Sequence, residues 1–488
     1  MLPKIYLTTT LPYVNADPHI GFALEIVEAD ILARHYRLLG HEVFFNTGTD
    51  EHGAKIYRSA AAAGKEPQAY VDEYAGRFQK LKTTLDLSYD HFSRTTNPVH
   101  ISATQEFWRR CREAGDIYKK NYRVKYCVGC ELEKTDSELD NGRCLLHPNN
   151  EVEIREEENY FFRFSKYQER LLKLYGKSDF HLEVGLPSFV IPPSRLNEIR
   201  EFVSRGLQDF SISRLTAKMP WGILVPDDPA HTMYVWFDAL VNYISAIGWP
   251  SDLKNFEEWW PAIQFAGKDN LRQQAAMWPA MLMSAGLPPP KQIMIHGFIT
   301  SAGQKMSKSL GNVIDPIKLV EEYGTDAVRY FLARHAQPFE DTDVTLDKFK
   351  EVYNANLANG LGNLVSRIMK LASDHLSAPI SMPRVTLDTK GYPLDSLIGK
   401  YLKRYEFNQA MDVIWQKIGE LDWIIQRDEP YKTVKTDLAK GREQIISLVR
   451  SLGEIADCLI PFMPATSATI TDLIHQNHAP VQPLFPRK

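Results

Sequence analysis

The first fifty residues alternate between a strand pattern and a helical pattern. An apolar, β-rich run at residues 5–10 predicts a strand, and apolar positions at residues 22–36 recur at helical spacing. We expect Asp17 to cap this helix, with Pro18 at its first position. A second strand begins at Val43. A strand–helix–strand unit of this length favours a right-handed crossover, so the sequence predicts a parallel sheet.

The same alternation returns after an interruption. Residues 120–230 contain a cysteine cluster, an acidic run and several prolines, and this stretch predicts an insertion. Strand-like runs at residues 263–266 and 292–295, with a helical pattern at residues 271–284 between them, indicate that the α/β pattern resumes. From residue 346 onward the apolar positions keep helical spacing, which is typical of a helical bundle.

Composition and charge restrict the classes of function. The chain has 488 residues and a net charge of −4, which excludes a protein that coats nucleic acid indiscriminately but allows a local basic groove. The sequence has no apolar run of about 18 residues, so we expect no membrane span. The N-terminal residues lack a signal peptide's long apolar core, so we expect a cytoplasmic protein.

Five cysteines in a chain of this length do not form a disulfide scaffold. Three of them cluster with a histidine in the spacing Cys127-x2-Cys130-x13-Cys144-x2-His147. Two close pairs separated by a short loop suit one tetrahedral Zn²⁺ ion, and four protein ligands leave no position for water. The sequence therefore predicts a structural zinc site. The alternative is three reduced thiols beside a surface histidine.

Two further segments carry residues that suit phosphate. Asp17-Pro18-His19-Ile20-Gly21-Phe22 lies between a predicted strand and a predicted helix, where backbone N–H groups and His19 can donate to an anion. Lys305-Met306-Ser307-Lys308-Ser309 is a basic loop bounded by Gly303 and Gly311, which suits a clamp on a polyphosphate. Each segment alone is also compatible with an ordinary capped or solvated surface.

Together these two segments resemble the paired signatures of class I aminoacyl-tRNA synthetases. Several others are similar to methionyl-tRNA synthetases in particular: Thr10-Leu11-Pro12-Tyr13-Val14-Asn15, Gly48-Thr49-Asp50-Glu51-His52-Gly53, Tyr234-Val235-Trp236-Phe237-Asp238-Ala239-Leu240, Gly267-Lys268-Asp269 and Trp278-Pro279-Ala280. The resemblance covers nearly the whole chain, and the cysteine spacing fits family members with one zinc knuckle. It implies a Rossmann-like α/β catalytic fold with an inserted connective domain and a helical anticodon-binding domain.

The resemblance also implies a reaction in two steps, serving translation initiation and elongation. The carboxylate of L-methionine attacks the α-phosphate of ATP, which releases pyrophosphate and leaves methionyl-adenylate. A 2′-hydroxyl at the end of tRNA(Met) then accepts the methionyl group. Positioning and neutralisation of phosphate charge suffice for this chemistry, so lysines, a histidine, helix N–H groups and Mg²⁺ meet its needs without an enzyme nucleophile.

Residue roles follow from the same resemblance. The catalytic set is His19, Lys305 and Lys308. The ATP contacts are His19, Gly21, Gly267, Asp269 on the ribose, Ile299 beside the adenine, and Lys308. The methionine contacts are Asp50 for the ammonium group, with Leu11, Tyr13, Trp236, Ala239, Tyr243, Asn270 and Gln274 around the side chain. A thioether is a weak acceptor, so we expect the Tyr243 hydroxyl to donate to it. Core packing is the alternative for Trp236 and Tyr243.

The helical bundle corresponds to the part of the family that reads the CAU anticodon. Asn363 and Arg367 match anticodon-binding positions and, being four residues apart, share a helix face. Tyr431 stands where the family usually has a tryptophan and offers a smaller plane for stacking on a base. A hydrogen bond within the helix packing is the alternative role for Asn363.

The sequence departs from the family in the catalytic region as well. Phe22 stands where a second histidine is usual, and Asn270 and Gln274 stand where many relatives have isoleucine and histidine. Two other hypotheses therefore stay open: another class I specificity, and a catalytically silent tRNA-binding paralogue. Another class I specificity would require a cysteine ahead of His19 or room for a large editing insertion, and the chain has neither. The silent paralogue is suggested by Phe22.

We expect five segments along the chain. Residues 1–118 and 231–300 form the two halves of the catalytic domain, residues 119–230 form the insertion with its zinc knuckle at 122–150, residues 301–345 form a linking fold that includes the lysine loop, and residues 346–488 form the helical domain. No further folded module follows the bundle, so we expect a monomer.

Overall fold

The computed structural model describes residues 2–130, 132–134, 139–183, 188–301, 303–306, 312–381 and 393–488. The strands in these residues are β1 (Ile5–Thr8), β2 (Val43–Thr49), β3 (His91–Arg94), β4 (Ile117–Cys127), β5 (Leu132–Lys134), β6 (Leu139–Asp140), β7 (Arg143–Cys144), β8 (His147–Glu151), β9 (Glu153–Phe162), β10 (Val190–Ile191), β11 (Phe210–Ser211), β12 (Ser213–Leu215), β13 (Leu224–Val225), β14 (Asp228–Met233), β15 (Ile263–Gly267), β16 (Gln292–His296), β17 (Ile299–Ser301), β18 (Gln304–Lys305) and β19 (Thr342–Asp343).

Helices connect and cover these strands. They are α1 (Ile20–Leu38), α2 (Ala54–Ala62), α3 (Pro67–Thr84), α4 (Pro98–Glu113), α5 (Gln168–Glu183), α6 (Pro193–Ser204), α7 (Val235–Ala239), α8 (Asn242–Ser245), α9 (Leu253–Trp259), α10 (Trp278–Ser284), α11 (Pro316–Tyr323), α12 (Thr325–His335), α13 (Leu346–Val352), α14 (Asn363–His375), α15 (Pro393–Leu402), α16 (Phe407–Asp428), α17 (Pro430–Thr436), α18 (Leu438–Leu459) and α19 (Pro464–Gln476). Gln273–Met277 and Tyr353–Gly362 are π-helical, and Phe164–Tyr167 and Lys268–Asn270 form 3₁₀ turns. Within the described ranges, no helix combines the length and the apolar character needed to cross a bilayer.

The central sheet has six parallel strands in the order β10-β16-β15-β1-β2-β3. Every residue of β1, β15 and β16 is buried, as expected for a parallel sheet that helices cover on both faces. The strand order reverses between β1 and β15. A crevice forms outside the carboxyl ends of the strands at such a point, where α/β proteins bind their ligands. The predicted α/β class and parallel sheet are confirmed.

Helix α1 starts later than the sequence pattern suggests. The prediction that Asp17 caps it is wrong, because the helix begins at Ile20 and His19 is its cap. The Nδ1 atom of His19 accepts from the Gly21 N–H at 3.1 Å, whereas Asp17 forms an ion pair with Arg77 of α3. A local side-chain hydrogen bond therefore sets the helix start in place of the aspartate.

The interruption after α4 is a set of antiparallel strands. The long strands β4 and β9 pair along ten residues and carry β5 and β11 at their edges. The short strands β6, β7 and β8 form a separate three-stranded sheet. A third small sheet, β12-β14-β13, follows and leads back to the catalytic fold. Residues 119–230 also include α5, α6 and β10, and β10 joins the central sheet, so antiparallel strands make up only part of the segment that the sequence predicts as an insertion.

After α12 the chain is helical, as the apolar spacing predicts. Helix α13, the π-helical segment Tyr353–Gly362 and α14 follow one another directly. Helix α14 then packs against α18, and α16 packs against α12, α15 and α18. Residues 382–392, between α14 and α15, lie outside the described residues.

Arg329 of α12 connects the helical region to the catalytic fold. Its side chain is completely buried and forms an ion pair with the equally buried Asp30 of α1 at 2.8 Å. The guanidinium also donates to the carbonyls of Leu85, Pro461 and Phe462 at 2.9–3.0 Å. One side chain thus joins α1, the end of α3 and the turn after α18.

We expect Arg329→Ala to lower the free energy of unfolding by about 3–5 kcal/mol, because it leaves buried acceptors and a buried carboxylate without their partner. Urea unfolding followed by circular dichroism measures the change. Arg205→Ala is the control, because Arg205 is 75% exposed and its loss should change stability by less than about 0.5 kcal/mol. Equal effects of the two substitutions would contradict the assigned role.

Candidate active site and metal centre

The start of α1 meets both ends of the lysine loop. A Cβ atom on Gly21 would lie 3.0 Å from the His19 ring, so Gly21 leaves room for that ring, and the Cε of Met306 lies at an ordinary contact distance of 3.6 Å. The N–H of Ile20 donates to the carbonyl of Ile314 at 3.0 Å. Met306 of the loop and Ile314, five residues after its end, therefore lie at one helix start. Lys308 lies outside the described residues, and for Lys305 only the backbone, in β18, is described.

The predicted ATP residues lie at the carboxyl ends of β15 and β16. Gly267 ends β15, and a Cβ atom there would lie 3.0 Å from a carboxylate oxygen of Asp269. The absence of a side chain at Gly267 thus lets Asp269 turn back over the strand end. Ile299 is buried at the start of β17, just after β16. With His19 and Gly21 at the start of α1, these residues border the crevice at the strand reversal.

Asp50 lies beside the loop that follows β1. Tyr13 and Asp50 form an isolated parallel bridge, and the Asp50 N–H donates to the carbonyl of Pro12 at 3.0 Å. The Asp50 side chain is buried, whereas Leu11 and Tyr13 are half-buried. The structure therefore brings the predicted ammonium ligand next to two of the residues predicted to contact the methionine side chain.

Tyr243 and Gln274 are buried and bonded to each other. The amide nitrogen of Gln274 donates to the Tyr243 hydroxyl oxygen at 2.6 Å. Burial raises the pKa of Tyr243 well above its usual range, so the hydroxyl keeps its proton. Trp236 and Ala239 lie on the short helix α7; Ala239 is buried and Trp236 half-buried. Asn270 is half-buried at the end of the turn that carries Asp269.

Asp238, which is not among the predicted site residues, joins two of these segments. Its buried carboxylate lies 2.6 Å from His52 Nδ1 and 2.7 Å from His100 Nε2. Burial alone would raise the pKa of Asp238, but the two histidines hold it below its usual value. Because His52 follows Asp50 by two residues and Asp238 precedes Ala239, this network links the Asp50 segment to α7.

A second buried network lies under the start of α1. One oxygen of Glu25 accepts from the Thr10 N–H at 2.6 Å and from its hydroxyl at 2.7 Å, and the other lies 2.8 Å from His296 Nε2. Burial alone would lower the pKa of His296, but Glu25 raises it to about 9. Burial raises the pKa of Glu28 to about 8. This network is not among the predicted site residues, although acidic residues on the apolar face of α1 are its signal in the sequence.

The three cysteines and the histidine gather at one end of the insertion. The ligand atoms of Cys127, Cys130, Cys144 and His147 all lie within 4.8 Å of one another, and this cluster could hold a metal ion. A Cβ atom on Gly129 would lie 2.5 Å from the His147 ring, so the ring packs directly on the bare backbone. The predicted metal-binding cluster is confirmed as a spatial cluster.

The three predicted anticodon residues lie on helices of the C-terminal region. Asn363 is exposed at the start of α14, and Arg367 on the same helix forms an ion pair with Asp422 of α16. Tyr431 is exposed on α17 and donates to Glu429 at 2.9 Å. That hydrogen bond raises the pKa of Tyr431, and the charge of Arg367 opposes the rise.

Comparison with known proteins defines the class. Residues 5–144 and 129–369 match the family described as tRNA synthetases class I (M), and the chain belongs to this family. Its relatives include the methionine--tRNA ligase of Thermosynechococcus vestitus, 43% identical over 96% of this chain and 90% of that protein. The methionine--tRNA ligase of Rhizobium meliloti is 40% identical over 96% of this chain and 91% of that protein. Within the class, the chain is therefore a member of the methionine--tRNA ligase family.

Solved structures agree with this assignment. Mycobacterium tuberculosis methionyl-tRNA synthetase in complex with methionyl-adenylate matches with a TM-score of 0.88 and 35% identity, over 96% of this chain and 94% of that chain. Its apo form matches with a TM-score of 0.82 and 31% identity, over 100% and 99% of the two chains. The class I synthetase fold that the sequence predicts is thus confirmed.

We expect Glu28→Gln to flatten the dependence of stability on pH. Since the pKa of Glu28 is raised from 4.5 to about 8, the folded chain holds a proton that the unfolded chain releases. The resulting stabilisation is complete below pH 4.5 and is lost as the pH rises towards about 8. Glutamine resembles the protonated acid and does not titrate, so urea midpoints of the variant should fall less over this range.

The exposed Glu443 provides the control, because Glu443→Gln should leave the slope of the urea midpoint against pH unchanged. A Glu28→Gln variant that keeps the wild-type slope would show that Glu28 does not carry this proton.

Proposed function

We propose that this chain attaches methionine to tRNA(Met) through methionyl-adenylate, with ATP as the second substrate. The observation that carries the proposal is the match, over nearly its full length, to an enzyme solved in complex with methionyl-adenylate. The positions of Asp50, Tyr243 and the start of α1 around the crevice support it. The product would serve translation initiation and elongation in the cytoplasm.

Methionine would bind between the loop after β1 and helix α7. Asp50 would hold the ammonium group, and Leu11, Tyr13, Trp236, Ala239 and Asn270 would surround the side chain. Because the amide of Gln274 donates to the Tyr243 oxygen, the hydroxyl hydrogen of Tyr243 remains to donate to the thioether sulfur. Gln274 would therefore act on methionine indirectly, by orienting the Tyr243 hydroxyl, at a position where many relatives have histidine.

ATP would bind across the strand reversal with Mg²⁺ on its phosphates. His19 and Gly21 would meet the phosphates, Gly267 and Asp269 the ribose, and Ile299 the adenine. Lys305 and Lys308 would neutralise the charge that develops on the triphosphate as pyrophosphate leaves. Met306 of this loop and Ile314, which follows the loop, contact the start of α1, which supports this role. Phe22 removes a donor that many relatives have, and its ring packs on Phe78 at 5.3 Å.

The metal of the cysteine cluster would be Zn²⁺ in a structural role. Three thiolates and one imidazole are a ligand set that zinc prefers, and four protein ligands leave no open position for catalysis. The ion would hold Cys127 and Cys130, at the end of β4, to Cys144 and His147 on β7 and β8.

The C-terminal helices would read the CAU anticodon. Arg367 would donate to a splayed base while Asp422 orients its guanidinium, and Asn363 would pair with a base edge. Tyr431 would stack on a base. Residues 1–118 and 231–300 would form the catalytic domain, with residues 119–230 inserted. Residues 301–345 would form the stem-contact linking fold, and residues 346–488 would bind the anticodon. We propose that the protein acts as a monomer.

Methionine-dependent exchange of pyrophosphate into ATP tests the central proposal. The wild-type protein should exchange with methionine and with no other natural amino acid at comparable efficiency. We expect Lys308→Ala to lower the exchange rate by about 100-fold or more, because one charge on the leaving phosphates is lost. Equilibrium dialysis should show methionine binding unchanged.

The control is Lys318→Ala, a neighbouring exposed lysine on α11, which should keep the wild-type rate. Exchange with a different amino acid would overturn the methionine assignment, and no exchange with any amino acid would favour the silent paralogue. A Lys308→Ala variant with a wild-type rate would remove Lys308 from the catalytic set.

Elemental analysis tests the metal. The purified protein should contain about one zinc ion per chain, and Cys144→Ser should lose it. Cys458→Ser is the matched control, because Cys458 is a half-buried cysteine outside the cluster and its loss should leave the zinc content unchanged. A wild-type protein purified without chelator that contains no zinc, or contains another metal, would refute the zinc assignment.

A further inference from the structure

The wall of the candidate methionine site holds more hydrogen-bonding groups than a thioether can use. Gln274 is 1% exposed, and its amide nitrogen donates to Tyr243, while its carbonyl oxygen has no partner among the residues that the structure describes. The indole N–H of Trp236 is likewise buried without an acceptor in those residues. Because a buried polar group without a partner destabilises a protein, such groups in one wall point to a ligand that meets them.

The backbone that carries Gln274 departs from a regular α-helix. Gln273–Met277 are π-helical and lie between the 3₁₀ turn that ends at Asn270 and helix α10. Gln273 is 3% exposed, and its carbonyl oxygen also lacks a partner within the described ranges. Short π-helical turns are frequent at functional sites. This turn therefore carries two neighbouring amides in the interior, each with an oxygen left to bond.

Asn270 adds a third amide to the same region. It is a predicted methionine contact, half-buried at the end of the 3₁₀ turn. Many relatives have isoleucine at this position, so the chain replaces an aliphatic side chain with an amide. An amide that a purely apolar ligand covers loses its hydrogen bonds to water and gains none. The exchange therefore favours a substrate that carries a polar atom on its side chain.

The groups in this wall suit an acceptor atom on the substrate. An indole N–H is only a donor, and an amide presents its NH₂ group when it turns through 180°. Gln274 can then accept from the Tyr243 hydroxyl through its oxygen and donate to a ligand through its nitrogen. Trp236, Asn270 and Gln274 thus offer donors to one acceptor. A thioether sulfur is a weak acceptor, whereas the oxygen of a sulfoxide is polar and accepts strongly.

We propose that the site also accepts L-methionine sulfoxide, with its S=O oxygen directed at Trp236, Asn270 and Gln274; the inference rests on the proposed function. The sulfoxide has the carbon chain and the ammonium group of methionine, so Asp50 holds it in the same way. Its carboxylate oxygen forms a bond to the α-phosphorus of ATP, and the bond from that phosphorus to the pyrophosphate oxygen breaks. The S=O group takes no part in the reaction and stays in the adenylate.

The expected discrimination follows from the number of donors. An apolar pocket rejects an analogue that adds one polar oxygen by only about 100-fold. Donors in the pocket lower this discrimination, because they replace the water that the sulfoxide oxygen loses on binding. Two hydrogen bonds, each worth about fivefold, reduce the preference for methionine over its sulfoxide to about tenfold or less.

Pyrophosphate exchange into ATP with the two amino acids tests the inference. The measured quantity is kcat/KM for L-methionine divided by kcat/KM for L-methionine sulfoxide, and the wild-type ratio should be about tenfold or less. Asn270→Leu/Gln274→Met replaces both amides with apolar side chains of similar size and should raise the ratio by about tenfold or more. Mass spectrometry of the adenylate formed from ¹⁸O-labelled sulfoxide excludes a signal from contaminating methionine.

The single variant Asn270→Leu changes a half-buried residue and leaves the Gln274–Tyr243 hydrogen bond in place, so it tests the inference if the double variant is unstable. It should raise the ratio about fivefold. Gln444→Met is the matched control, because Gln444 lies on α18 in the helical region and its buried carbonyl oxygen also lacks a partner in the described part of the chain. This control should keep the wild-type ratio.

Two results would overturn the inference. One is a wild-type ratio of about 100-fold or more, which is the discrimination of an apolar pocket. The other is a ratio that stays at the wild-type value in the variants of Asn270 and Gln274. Failure of the proposed function is a separate result, because it appears as an absence of exchange with methionine itself.

Discussion

The burial of charged residues on α1 is the constraint on which much of the fold depends. This helix crosses the centre of the sheet with Glu25, Glu28 and Asp30 all buried. A buried carboxylate destabilises a fold unless it is paired or protonated. Asp30 is paired with Arg329 and Arg34, and these cations outweigh its burial and lower its pKa. The pair with Arg329 fixes α1 to α12 and hence to the helical region, whereas the pair with Arg34 lies within α1.

The same constraint acts around the crevice. Glu25 binds the loop after β1 and the end of β16, and Asp238 binds His52 and His100. Each network joins segments that lie far apart in the sequence. Residues next to these segments are predicted to contact ligands. The strand reversal brings the segments to one edge of the sheet, and the buried polar pairs set their positions there.

Sequence patterns predicted the elements whose signals are local. The parallel strands, the inserted region, the cysteine cluster and the helical end of the chain all follow from period, spacing or composition. The start of α1 was mispredicted because Asp17-Pro18 matches the usual pattern of a cap followed by the first helical residue. The actual cap is His19, whose ring accepts from the Gly21 N–H, and the Asp17-Pro18 pattern does not indicate this hydrogen bond. The networks of Asp238 and His296 could not be derived, since their partners lie 138–271 residues apart. Gln274 and Tyr243 are only 31 residues apart, but their pairing is a tertiary contact that no local pattern indicates, and it gives a departure from the family pattern a physical role.

The cap at the start of α1 has a consequence for how a ligand is exchanged. The N–H groups of Ile20 and Gly21 already donate to Ile314 and His19. An anion that approaches this helix end therefore replaces existing hydrogen bonds, and the net free energy of such a replacement is small. Weak ground-state affinity is useful in a catalyst, because interaction energy that appears only as charge develops speeds the reaction without slowing product release. Because its N–H groups are already satisfied without a ligand, the helix start does not hold an anion tightly, which suits a site that must be emptied after every turnover.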